Sequence, residues 1–128
     1  MKLMTKEIEK RLLANAKRTA EAQSAGKPEP DHKPVVKIFA PWGAATWLLT
    51  EMDEEGIAFG LCDLGMGSPE IGAVALSELS QTFNIPMQIN GRPAGSRALK
   101  LERDLYFKAD KTLYEYAAAA RTKGRIDA

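Results

Sequence analysis

Cysteine and histidine are nearly absent from this chain, which has one of each, Cys62 and His32, in 128 residues. A single thiol excludes an internal disulfide and fits a reducing cytoplasm. One cysteine and one histidine also cannot furnish the closed four-ligand zinc site of the usual Cys/His type. No apolar run approaches the ~18 residues a spanning helix needs, so no membrane association is expected. The opening Met1-Lys2-Leu3-Met4-Thr5-Lys6-Glu7 is charged and lacks the apolar stretch of a signal peptide. No Gly-x4-Gly-Lys-Ser/Thr phosphate loop occurs. What is present is ordinary for a globular chain: 45% hydrophobic and 27% charged residues. The length suits one domain, here 1–128, with 23–33 as a linking loop and 113–128 as a C-terminal helix and tail.

Charge is balanced overall at +1 but not along the chain. Residues 1–33 hold eight basic and five acidic side chains, residues 34–90 one basic and seven acidic, and residues 91–128 nine basic and five acidic. Either the basic flanks neutralise the acidic middle, or they meet as a basic face for nucleic acid or an acidic partner.

Thr5 is placed as an N-cap. Ile8, Leu12, Ala16 and Ala20 recur at every fourth position with Leu13 beside them, which predicts a helix over Lys6–Ala22. It would be about 25 Å long, and its alanine-rich stripe promises only a modest grip on a sheet. The polar, Gly/Pro-rich Gln23–Asp31 ends it. Val35–Phe39 reads as a strand that stops at Pro41-Trp42-Gly43. Ala45–Met52 reads as a second, with Ala45, Trp47, Leu49 and Glu51 on one face and Thr46, Leu48, Thr50 and Met52 on the other. Asp53-Glu54-Glu55-Gly56 is a tight acidic loop before a third strand, Ile57–Cys62. Strands joined this closely must run antiparallel. Both faces of the second and third carry apolar residues, so a second copy of the chain could cover one of them.

Ser68–Phe83 admits two readings. One is a helix with Pro69 at its first position and a stripe of Ile71, Ala75, Leu79 and Phe83. The other is a strand over Ile71–Ala75 followed by a short helix capped by Ser77 and running to about Thr82. Asn90–Arg97 is a turn-rich loop bearing two arginines, and Leu101–Phe107 reads as a last strand. Thr112 and Glu115 form a capping box that opens a terminal helix to about Lys123, with Gly124 just beyond its end. The expected fold is α+β: an antiparallel meander of four or five strands, the N-terminal helix on one face, a short middle helix and a C-terminal helix.

Several segments taken in order carry a resemblance. They are Met-Lys-Leu-Met-Thr-Lys-Glu-Ile at the start, Thr46-Trp47 with Thr50-Glu51, Gly56-Ile57-Ala58-Phe59-Gly60-Leu61, Pro69-Glu70-Ile71-Gly72, Leu76-Ser77-Glu78-Leu79 and Glu102-Arg103-Asp104-Leu105-Tyr106-Phe107. Together they resemble domain-of-unknown-function family 2958, small bacterial proteins of plasmids and integrative elements. The resemblance spans Met1 to about Lys108, and Glu-Arg-Asp-Leu-Tyr-Phe is its most specific part. It favours the strand-plus-short-helix reading of 68–83. The chain departs from the family in a longer loop around Gln88–Ala98 and in a terminal Ala-rich helix that reads as an extension. The resemblance implies a cytoplasmic accessory protein of a mobile element and carries no catalytic residue.

The chemistry-bearing residues support no constellation for catalysis. His32 lies in a Pro-flanked loop without a nucleophile at readable spacing, and Cys62 sits in an apolar strand as a small core residue. Leu64-Gly65-Met66-Gly67-Ser68-Pro69 could offer backbone N–H groups to a phosphate, but a strand-to-strand turn explains its glycines. On a strand Glu102 and Asp104 share a face, a pair that could hold a divalent cation or act as acid and base, against the alternative that Arg103 ties down a turn while the acids are solvated. No cofactor is expected. Trp42, at a Pro-x-Gly turn, either folds back as a lid or meets a partner, and Arg92 and Arg97 could grip carboxylates or phosphates. With Arg103 and Tyr106 they make up the expected partner-binding set. The function expected is a non-enzymatic interaction protein of a mobile element that binds a host protein of defence or DNA-handling machinery. The alternatives are a nucleic-acid-binding module using the basic flanks and a small metal-dependent enzyme using Glu102 and Asp104.

Overall fold

The computed structural model describes residues 2–128. Thr5 caps the first helix as its sequence requires, its Oγ1 accepting from the Ile8 N–H at 3.1 Å, and α1 runs Lys6–Ser24. Four strands follow: β1 (Val36–Phe39), β2 (Thr46–Met52), β3 (Ile57–Asp63) and β4 (Glu70–Ala75). After them come a single helical turn, α2 (Leu76–Leu79), then β5 (Thr82–Ile89), β6 (Arg92–Lys100), β7 (Glu102–Arg103) and α3 (Leu113–Lys123). The antiparallel meander expected from the short loops is present and extends to five strands in the order β4-β3-β2-β1-β7, while β5 and β6 form a separate ribbon. The fold is α+β. Among the described residues no helix is long and apolar enough to cross a membrane.

The sheet is covered on both faces. On one, Leu12 of α1 packs with Val36, Ile38, Trp47, Leu49, Met52 and Ala58, and Met4, Leu79 and Leu101 belong to the same cluster. On the other, Leu48 and Leu61 pack with Leu113, Tyr116, Ala117 and Ala120 of α3. The small residues of α3 let its backbone lie close over the sheet. The reason for expecting a second copy of the chain therefore falls away, because α3 itself supplies the cover. Its N-terminus carries the expected capping box, and Gly124 ends it in the left-handed conformation. Beyond it the buried Asp63 carboxylate fastens the tail, accepting from the Gly65 N–H at 2.8 Å and the Ile126 N–H at 3.0 Å.

Several local expectations are corrected. Strict alternation would put Met52 with Leu48, but the β2–β3 register shifts between Leu49 and Glu51. Thr50 is the extra residue of that bulge, and the slip carries Met52 to the face of Trp47 and Leu49. The Asn15 side chain of α1 donates to the Thr50 carbonyl at 3.0 Å. The inner side of α1 is thus Ile8, Leu12, Asn15, Ala16 and Thr19, and Ala20 is exposed. Ile8, Leu12 and Ala16 face inward as expected, while Asn15 and Thr19 join them in place of Ala20 because Thr50 and Glu51 offer them partners. Of the readings for 68–83, strand followed by short helix is the one adopted, although the cap position is Ala75 and not Ser77. Asn90–Arg97 is no loop but the turn and second strand of the β5–β6 ribbon. The last strand shrinks from Leu101–Phe107 to Glu102–Arg103. Asp104 ends it by turning the chain, its Oδ1 accepting from the Tyr106 N–H at 2.9 Å.

The linking loop is also tied down. The Leu113 N–H donates to the His32 carbonyl at 2.9 Å, and the Tyr114 N–H to Asp31 Oδ1 at 3.3 Å. His32 is half-buried rather than solvated. Thr19 Oγ1 lies 3.0 Å from Glu51 Oε2, to which it donates, and 3.1 Å from His32 Nε2. A hydroxyl has one proton, so with that proton on Glu51 the imidazole is the donor in the second contact, which fixes the proton on Nε2.

Candidate functional site

The β5–β6 ribbon carries an exposed apolar row, ending in Met87 and Ile89. Its turn is Asn90-Gly91, with φ of 52° and 78°, the two positive values a type I′ hairpin needs and the sequence that best adopts them. Pairing runs Phe83↔Leu99, Ile85↔Arg97 and Ile89↔Arg92, with one extra β6 residue accommodated between Pro86 and Gln88 on the facing strand. Gly95, at φ 81°, lies in that bulge. Directly paired residues point to the same side, so Phe83, Ile85, Met87 and Ile89 form one row, accompanied by Leu99, Arg97 and Arg92. The row emerges from the body of the protein: Phe83 and Ile85 are half-buried, Met87 is 36% exposed and Ile89 is 68% exposed.

At its base the row enters a groove of about 550 Å³. Trp42 reaches it from the β1–β2 turn, Trp47 and Cys62 from the sheet, and Phe83 and Ile85 from the ribbon. The Trp42 and Phe83 rings lie 5.6 Å apart at an interplanar angle of 46°, a tilted contact within the favourable range for aromatic pairs. Trp42 folds back over the core, and it forms one wall of an open groove. Burial raises the Cys62 pKa, which keeps that thiol protonated and a poor nucleophile. Glu70, Glu78 and Gln81 also line the groove. The size and the apolar, aromatic lining with a few polar groups are those of a binding cleft.

The expected site residues divide. Trp42, Arg92 and Arg97 belong to the groove and the ribbon that rises from it. Arg103 is elsewhere, its guanidinium donating to the backbone carbonyls of Lys2 at 3.0 Å and Leu3 at 2.9 Å, which anchors the segment before α1. Tyr106 is 94% exposed and lines a separate cleft with Asp104, Lys108 and Asp110. Glu102 is exposed on β7, and Asp104 is occupied by Lys37, 3.7 Å away, and by the Tyr106 N–H. Among the described residues no three His, Cys, Asp or Glu side chains assemble into a set that could hold a metal ion. The glycine-rich Leu64–Pro69 segment leads into β4 and not into a helix, so it presents no helix terminus to a phosphate. α1 and α3 cover opposite faces of the sheet, while the basic flanks meet elsewhere, Lys2 and Lys100 lining one cleft and the Arg103 guanidinium bonding the Lys2 and Leu3 carbonyls.

Sequence reading places Phe83 only in a helical stripe and assigns no role to Ile85, Met87 and Ile89. Their strict alternation, ending at Asn90-Gly91, was the available signal.

Comparison with known proteins gives one family. The family model described as Protein of unknown function (DUF2958) matches residues 3–127. The match includes the ribbon and runs through α3, so the C-terminal helix belongs to the family's domain and is not an extension. No curated protein and no solved structure matches the chain.

Proposed function

The chain belongs to that family, and from this premise we propose that it is a non-enzymatic interaction protein whose partner polypeptide seats on the groove and along the ribbon's apolar row. The observation that carries the reading is the continuity of Trp42, Phe83, Ile85, Met87 and Ile89 from a concave aromatic floor to a projecting, solvent-exposed strand. An apolar row left on one face of a ribbon costs free energy in water unless something covers it, and such patches mark sites of contact. The strand edges of a free ribbon add main-chain donors and acceptors that an extended partner segment can pair with. Arg92 and Arg97 flank the row, where their planar guanidinium groups suit carboxylates at the rim of an interface. The partner is a protein of a bacterial host, and the chain serves a mobile genetic element by engaging it from the cytoplasm.

The test is capture from host lysate with the wild-type chain, Trp42→Ala, Ile89→Asp and Arg92→Ala/Arg97→Ala, each first shown to be folded by its melting transition. Loss of the same captured protein in the Trp42 and Ile89 variants is expected. A captured set identical for all four proteins overturns the reading.

A second reading has one observation in its favour. Residues 82–100 carry Arg92, Arg97 and Lys100 and no acidic side chain. A two-stranded ribbon fits the major groove of duplex DNA. Binding of that kind weakens steeply with salt, so a duplex gel shift at low and moderate ionic strength separates the two readings.

A further inference from the structure

The groove's charge is opposite to that of the ribbon above it. Its lining includes two carboxylates, Glu70 at the start of β4 and Glu78 in α2, and no lysine, arginine or histidine. Both carboxylates are exposed, and neither takes part in an ion pair among the described residues. Three aromatic side chains, Trp42, Trp47 and Phe83, line the same space. Aromatic faces attract cations through their quadrupole, and tryptophan does so most strongly. Two unpaired carboxylates at the mouth of such a space add long-range attraction for positive charge and disfavour an anion.

We propose that the groove receives an arginine side chain carried on an extended segment of the partner polypeptide, its guanidinium against the aromatic walls and hydrogen-bonded to Glu70 or Glu78. Arginine fits better than lysine because its planar, weakly hydrated head stacks on rings and forks onto a carboxylate. Apolar residues on either side of that arginine continue along Ile85, Met87 and Ile89, and acidic residues further on meet Arg92 and Arg97. The inference rests on the reading that a polypeptide partner occupies this surface, and it adds the chemistry by which that partner is recognised.

Trp42 and Trp47 are the only tryptophans in the chain and both line the groove, so intrinsic fluorescence reports on it directly. The probes are blocked heptapeptides Gly-Ser-Ile-X-Ile-Ser-Gly with arginine, citrulline or glutamate at X, titrated into the full chain. Citrulline keeps the shape of arginine and removes its charge. The expected result is a saturable emission change with the arginine peptide, at least tenfold weaker binding of the citrulline peptide and no response to the glutamate peptide. Glu70→Gln/Glu78→Gln should shrink the arginine–citrulline difference to less than threefold while leaving the melting temperature in place. Equal binding of the arginine and citrulline peptides overturns the proposal, as does silence from all three up to millimolar concentration. So does tighter binding of a short DNA duplex than of the arginine peptide. If the peptides fail while Trp42→Ala and Ile89→Asp still lose the captured protein, the interaction surface stands and only its arginine specificity falls. If capture is also insensitive to those variants, the surface assignment falls with it.

Discussion

A methyl group placed on Gly60 would lie 2.0 Å from the Leu48 carbonyl oxygen and 2.8 Å from Leu49 Cα, both backbone atoms of the next strand. Nothing flexible can move aside there, so Gly60→Ala should cost about 3 kcal/mol or prevent folding. Gly72, paired with Gly60 across β3 and β4, has nothing within 4 Å of its would-be Cβ. Gly72→Ala should stay within ~0.5 kcal/mol of wild type. Urea midpoints compared at constant slope check the contrast, and equal loss in the two variants would contradict it. Tyr116 and Asp110 form a second local test. The Tyr116 hydroxyl donates to Asp110 Oδ1 at 2.8 Å and accepts from the Asp110 N–H at 3.1 Å. Burial raises the tyrosine pKa above its ordinary 10.0, while the tyrosine hydrogen bond, followed by Lys111, lowers that of Asp110 below 3.8. A raised tyrosine contributes stability below its unfolded value that is lost as pH climbs through the folded one. A lowered carboxyl contributes stability above its unfolded value that is lost as pH falls through the folded one. Tyr116→Phe should therefore flatten the fall in melting temperature above pH ~10 and weaken the pH dependence below ~4, leaving the middle of the profile level.

Among the elements, the ribbon and the central strands should differ most in motion. Strands β2 and β3 are covered on both faces by helices, while most of β5 and all of β6 but Leu99 are exposed. Amide exchange over residues 86–96 should exceed that of residues 47–49 and 58–61 by at least a hundredfold, because local opening of the ribbon breaks few apolar contacts. Equal protection of the two regions would mean that the ribbon is fastened by contacts the fold does not display. The same difference explains what could be read from sequence. The β1–β2–β3 meander was legible because short loops and dense β-branched and aromatic residues leave antiparallel pairing as the only arrangement. The ribbon was not, because Pro86, Pro93 and Gly95 interrupt it, and these residues ordinarily argue against a strand. They are tolerated because both strands of a lone ribbon are edges and the glycine sits in a bulge. Trp42, Arg92 and Arg97 were recognisable as surface chemistry one by one. That the ribbon bearing the two arginines rises from the groove walled by Trp42 required the chain to return there through β4 and α2, which no local pattern encodes. Arg103 stood out for its charge, yet its partners are carbonyls a hundred residues earlier, an association visible only in three dimensions.

As a whole the molecule is a sheet between two unlike helices: α1, held by few apolar side chains and by hydrogen bonds to the Thr50 bulge and Glu51, and α3, held by alanines and Tyr116. With both faces covered from within the chain, the protein alone should sediment as a 14.0 kDa monomer at micromolar concentration, and a stable species of twice that mass would show a self-contact through the ribbon or the β4 edge. The order of layers along the chain has a consequence for how the protein is made. The cover for Leu48 and Leu61 is α3, which is synthesised after every strand it protects. During that interval a nascent chain displays a bare, sticky sheet surface, so its yield in the cell depends on chaperone shelter and on how soon translation delivers residues 113–123.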